Sequence, residues 1–159
     1  MESFTKLNSA HVKDLLQILQ EQYQTGKIKL PYRFYRNNKG RIFIVSPDIE
    51  KIDFKKLRIN NLGLYFANHS DNSLRLTIEG SQIIGPLATK NVIEISKEEV
   101  TEWMRGEPLN KTITQTEFVI IKHENDYLGC GRKSGETIAN FLPKSRRIKS
   151  YKTPEIMTE

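Results

Sequence analysis

Hydrophobic positions recur along this chain at two different periods. Over residues 9–25, Val12, Leu15, Leu16 and Leu19 fall at helical spacing, with Tyr23 one further turn on, so the pattern predicts an amphipathic helix. Asn8 or Ser9 caps its free N–H groups and Gly26 supplies a stop. Beyond it the period shortens to two. Tyr32 to Tyr35 and Arg41 to Val45 are rich in aromatic and β-branched residues, and Asn37-Asn38-Lys39-Gly40 between them has turn chemistry, which predicts a hairpin. Pro47-Asp48 breaks the second strand, Ile52 to Leu57 is a short connector, and Leu62 to Phe66 reads as another strand.

Asn68 to Ser73, NHSDNS, reads as a polar loop and the best boundary between two lobes. After it, Leu74 to Ile84 predicts a short strand followed by a helical turn, closed by Gly85-Pro86. Asn91 to Ile95 suits a strand. Ser96-Lys97-Glu98-Glu99 is a capping box, so a helix runs through Val100, Trp103 and Met104 and stops at Gly106. Phe118 to Lys122 is a buried strand, His123 to Asp126 a turn, and Tyr127-Leu128 opens the next strand. Ile138, Phe141 and Leu142 supply the core contacts of the strand that Pro143 ends; for Phe141, core is favoured over an exposed contact. Short strands with two or three helices give an α+β class: a small N-terminal α/β lobe over 1–70, a partly closed β-barrel over 71–152, and a loose tail over 153–159.

Charge changes this picture by segment. Residues 1–70 carry twelve Lys/Arg against six Asp/Glu, 71–121 five against eight, and 122–152 eight against three. A basic–acidic–basic layout matters more than the net +6, because clustering decides where a polyanion sits. In the first seventy residues two readings stay open, polyanion binding and plain surface solvation. Composition narrows the classes. The apolar runs have strand length and fall short of a membrane span. The N-terminus lacks a charged-then-apolar signal pattern, and a single cysteine excludes an internal disulfide or an all-cysteine zinc cage. A cytoplasmic protein without membrane contact, metal or cofactor is expected. His11 in the first helical turn and His69 beside Asp71 lack second ligands, and Glu98, Glu99 and Glu102 read as a solvated helix face turned away from any nucleic acid.

The densest chemistry lies in Tyr127 to Arg147. Gly129-Cys130-Gly131 reads as a glycine-flanked turn, Gly135 as a second, and the run ends in Lys144, Arg146 and Arg147. Glycines let a backbone approach a partner closely. Arginine forks onto phosphates and stacks on unpaired bases. Candidate RNA contacts are therefore Arg132, Lys133, Lys144, Arg146 and Arg147, with Gly129 and Gly131 presenting backbone amides.

Leu128-Gly129-Cys130-Gly131-Arg132 and Ala139-Asn140-Phe141-Leu142-Pro143-Lys144-Ser145-Arg146-Arg147 resemble the end pattern of the PUA-like RNA-binding domain at the C-terminus of NOL/NOP/sun RNA (cytosine-5) methyltransferases. Upstream, Leu74 to Gln82, Asn91 to Ile95 and Trp103 to Glu107 continue the resemblance, which covers roughly residues 62–148 and implies Arg75 as a weaker addition to the RNA contacts. It implies a PUA-like barrel following a pre-PUA-like lobe, and a stand-alone module of the kind archaea carry. Two departures stand out. Ala139 occupies a position where the family often has lysine. The methyltransferase half has no counterpart: there is no glycine-rich cofactor turn and no pair of catalytic cysteines.

A thiolate reading of Cys130, activated by Arg132 and Lys133, lacks a histidine base, and a packing thiol is the stronger reading. The expected function is therefore non-catalytic binding of structured RNA, tRNA or rRNA, in RNA modification or ribosome maturation. The alternative is a protein-interaction subunit docking on a methyltransferase that lacks its own PUA-like tail, or on a ribosome-assembly partner.

Overall fold

A computed structural model describes residues 3–53, 57, 59 and 61–149. Helix α1 (Ser9–Tyr23) begins where Asn8 Oδ1 accepts the amide of His11 at 2.8 Å, and it buries Leu15, Leu19, Gln22 and Tyr23. It ends at Tyr23, three residues before Gly26, because Gln24 itself takes the left-handed conformation at φ 48°. The expected hairpin is present as β2 (Arg33–Asn37) and β3 (Arg41–Val45). Phe4–Lys6, too short to show a period, adds a strand β1 on its open side. Lys6 and Arg33 both pair with the Glu50 carboxylate, tying β1 and β2 to the 3-10 turn Pro47–Lys51.

The polar stretch at 68–73 is not a loop. It forms the facing ends of β4 (Leu64–Ser70) and β5 (Ser73–Leu76), with His69 opposite Leu74 and Ser70 opposite Ser73. Asn68 and Ser70 mark the outward face of a hairpin, His69 shares the inward side with its partner Leu74, and Asp71 supplies the turn at φ 53°. The lobe boundary expected there therefore falls inside a five-stranded antiparallel meander, β1-β2-β3-β4-β5. One face of this sheet, with Phe34, Ile42, Ile44, Leu74 and Leu76, packs on α1. The alternate residues Tyr35 and Phe43 line the other face, beside Tyr65.

The second sheet is β6 (Val92–Glu94), β7 (Val119–His123), β8 (Asp126–Ser134) and β9 (Thr137–Asn140), in that order. β6 runs parallel to β7 and the other pairs are antiparallel. The crossover between β6 and β7 carries α3 (Lys97–Met104), whose capping box at Ser96 and Glu99 forms as the sequence predicts. Gly106 at φ 87° follows its end. Among the described residues the sheet stays open. A closed barrel is not formed: β6 and β9 stand at opposite edges, and only the single bridge Leu109–Ile138 extends β9. Helix α2 (Ile78–Ile84), capped by Thr77, packs against both β4 and β8 and joins the two sheets. The largest core cluster accordingly runs from Leu15 to Cys130, and a second gathers around Trp103, Leu109, Ile121 and Ile138. The proposed tail, 153–159, and residues 150–152 lie outside the described residues.

Candidate nucleic-acid interface

Strand register assembles the site. Arg41 on β3 stands opposite Asn68 on β4, which stands opposite Arg75 on β5, so the three share one face of the first sheet. A bulge in β4 keeps them there: Phe66 and Ala67 both turn into the core, which returns Asn68 to the outward side. On the same face the Arg41 guanidinium lies 5.4 Å from the centre of the Tyr65 ring. Arg75 lies 4.8 Å from the centre of Phe141, which follows β9. The Phe141 ring meets Phe118 edge-on at 5.6 Å, and Arg132 covers Phe118 at 5.0 Å. Three arginines and three aromatic rings are thus set side by side from the first sheet onto the second. Phe141 is 38% exposed, so the expected core role gives way to a rim position between two arginines.

A groove of about 590 Å³ opens beside this row, between the β4–β5 hairpin, α2 and the segment after β9. Arg41, Arg75 and Arg146 stand around it, and Arg146 is paired with Glu79 of α2. A larger groove of about 750 Å³ lies between α1 and β1–β2. Of its cations, Lys6 and Arg33 are paired with Glu50, and Lys13 and Lys27 also line it.

The other sequence-selected residues separate. Lys133 follows Arg132 on β8 and projects from the opposite face. Lys144 is exposed on the 3-10 turn Lys144–Arg146. Arg147 is a clasp: its Nε donates to the Leu142 carbonyl at 3.1 Å, and its side chain fills the space that Gly106 leaves without a Cβ. Gly129-Cys130-Gly131 is no turn but part of β8, an interior strand. Leu128 and Gly129 together face Ile121, a bulge that Gly129 permits at φ 90°. The Gly129 amide donates to Ser81 Oγ at 2.9 Å. Gly131 faces Ile138 and Trp103, and a Cβ on it would come within 2.4 Å of the Ile138 side chain. Both glycines therefore serve packing, and neither offers an amide to a sugar-phosphate chain.

Arg41 and Tyr65 were missed in the sequence because they join the site only through strand register. The available signal was weak, an aromatic residue interrupting the apolar pair Leu64 and Phe66.

Cys130 is buried, with its sulfur 3.6 Å from the Tyr23 hydroxyl. Burial pushes the thiol up to about 11, and the Tyr23 hydrogen bond only partly offsets this. Burial, with Cys130 alongside, also raises Tyr23 well above its ordinary value. At neutral pH such a thiol holds roughly a hundred-fold less thiolate than an ordinary one. Alkylation of the folded protein is therefore expected to be far slower than that of free cysteine and to reach the free rate on unfolding. Equal rates in the folded state would contradict this burial. Among the described residues no group of three or more His, Cys, Asp or Glu side chains is placed to hold a metal ion. No helix there is long and apolar enough to cross a membrane.

Residues 90–148, which span the second sheet, match the family described as the methyltransferase RsmF PUA domain. Among curated proteins, the ribosomal RNA small subunit methyltransferase F of Aeromonas salmonicida is 29% identical over 90 residues. The protein of the same name from Aeromonas hydrophila is 30% identical over 90 residues. Each alignment covers 56% of this chain and 19% of the relative, so the similarity spans about a fifth of those proteins' length. These relatives are bacterial.

Proposed function

Starting from residues 90–148 as a PUA-like domain that resembles the C-terminal domain of sun-type RNA methyltransferases, we propose that this chain binds structured RNA, tRNA or rRNA, without catalysing a reaction. Its role on this reading is accessory, in RNA modification or ribosome maturation. The observation that carries the proposal is the row of Arg41, Tyr65, Arg75, Phe141, Phe118 and Arg132. Arginines already held over rings are partly ordered, so binding a phosphate or a base costs them less rotamer entropy. The buried Cys130 argues against thiolate chemistry at the one candidate nucleophile. The relatives' printed activity, methylation of small-subunit ribosomal RNA, supports RNA as the ligand class.

A salt titration of binding to a tRNA transcript and to a small-subunit rRNA fragment tests the reading. Affinity is expected to fall linearly in log–log form, with a slope of about −0.7 to −0.9 for each phosphate neutralised. An Arg75→Gln/Arg132→Gln variant is expected to make that slope shallower by about 2. Binding of neither RNA, or binding indifferent to salt, would sink the proposal.

A further inference from the structure

We infer that the groove between α1 and β1–β2 is a docking site for an acidic amphipathic helix of a partner protein. It shares no lining residue with the groove beside the arginine–aromatic row, so the inference stands apart from RNA binding.

The groove follows the length of α1. Ser9, Val12, Lys13, Leu16, Gln17 and Gln20 line it, at successive spacings of three, one, three, one and three residues. Such positions form one stripe along a helix, here about three turns or roughly 16 Å at 1.5 Å per residue. Leu15 and Leu19 carry the neighbouring stripe, which is buried against the first sheet. Val12 and Leu16 stay only half-buried, so the apolar face of α1 is wider than its own sheet covers. Ile28 and Phe34, both buried, form the base of the groove, and the half-exposed Tyr32 stands at its edge. A trough of this kind beside a helix is filled by a second helix with apolar residues at i, i+3, i+4 and i+7.

Charge decides which kind of helix. Four cations, Lys6, Lys13, Lys27 and Arg33, line the trough, and Glu50 is the one carboxylate among them. Glu50 takes Lys6 and Arg33 together, which leaves Lys13 on α1 and Lys27 beyond its end as the exposed surplus. Glutamates flanking the apolar stripe of a partner helix would meet these two lysines, which speeds encounter and sets the register. Nucleic acid suits the trough poorly. Its lining of Val12, Leu16 and Ile28 is aliphatic and offers no stacking surface, and its arginine is held by a carboxylate rather than set over a ring.

The test follows the fluorescence anisotropy of a labelled synthetic peptide added to the full chain. The peptide has leucines at i, i+3, i+4 and i+7, glutamates flanking them and alanines elsewhere. It is expected to bind roughly ten-fold tighter or more than a version with lysines for the glutamates. The same margin is expected over a version with serines for the leucines. Lys13→Glu/Lys27→Glu reverses charge at two exposed positions and is expected to weaken binding by about ten-fold. Lys97→Glu/Lys149→Glu makes the same change of net charge at exposed positions outside the groove and is expected to leave the affinity unchanged. A thermal melt reports that each variant is folded.

Equal binding of the three peptides, or undiminished binding to the Lys13→Glu/Lys27→Glu chain, overturns the inference. So does an equal loss in Lys97→Glu/Lys149→Glu, which would mean that net charge alone holds the peptide. A tRNA transcript that loses affinity for the Lys13→Glu/Lys27→Glu chain as steeply as the peptide does would assign the groove to nucleic acid and overturn it. Self-association of the chain that the same change abolishes would assign the groove to a second copy, and overturn it too.

Discussion

Replacing Trp103 by alanine is expected to destabilise the protein by about 3–5 kcal/mol, the usual loss for a large aromatic side chain removed from a core. Trp103 is fully buried at the centre of the second core cluster, among Leu109, Ile121 and Ile138. Its indole nitrogen donates to the Leu128 carbonyl at 2.7 Å. The loss therefore combines a cavity with a carbonyl left unpaired beside the bulge in β8. Set against a typical total stability of about 5–15 kcal/mol, this is a large fraction. In a chain of this size the melting temperature should fall by about 10 °C or more. Trp103→Phe separates the two contributions. It retains most of the apolar volume and should cost about 1–3 kcal/mol, chiefly through the orphaned carbonyl. A melting temperature within a degree of wild type for Trp103→Ala would show that the second cluster does not hold the fold.

The second large effect is expected from Gly80→Ala. In an ordinary helix this change gains about 1 kcal/mol. In α2 the added methyl would lie 2.1 Å from the Phe66 carbonyl oxygen, a backbone atom of β4 that cannot rotate aside. The helix must lift from the sheet, and since the same helix holds Gly129 through Ser81, β8 is disturbed with it. A net loss of about 3 kcal/mol follows, at the upper end of what overpacking usually costs. The urea midpoint, followed through Trp103 emission, should drop accordingly. Gly26→Ala is the control. That glycine has φ 74° but open space around it, so its cost should be only about 1 kcal/mol. If the two variants unfold at the same midpoint, the close approach of α2 to β4 is not what holds the sheets together.

The elements that were legible in the sequence are those whose cause is local. Helix α1 follows from the spacing of Leu15, Leu16 and Leu19, and α3 from its capping box. The hairpin of β2 and β3 follows from the Asn-Asn-Lys-Gly turn, and the strands around Ile93 and Ile120 from their β-branched runs. What failed was whatever depends on strand partners. The stretch NHSDNS has the composition of a loop because one face of its hairpin is exposed, yet Leu74 beside it is 1% exposed and anchors the pairing. Gly131 has the composition of a phosphate-approach glycine, but the space it vacates is taken by Trp103 and Ile138, which lie 28 residues before it and 7 after it. The site divides in the same way. Arg132 and Arg146 were found by their charge and Arg75 through the family resemblance, while Arg147 and Gly106 are packing partners whose relation no local pattern reveals. Arg41 and Tyr65 enter only through the register of β3, β4 and β5.

The core that runs from Leu15 to Cys130 has a consequence for how this molecule is inherited and how it folds. The match to the PUA family model covers residues 90–148, yet Phe118, Ile120 and Cys130 within that stretch are buried against residues of α1 and of the first sheet. The portion that kinship marks out and the portion that orders itself as a body have different limits. Selection can therefore vary the first ninety residues only as far as they continue to shield those three side chains. That dependence is a constraint on drift which similarity alone would never reveal.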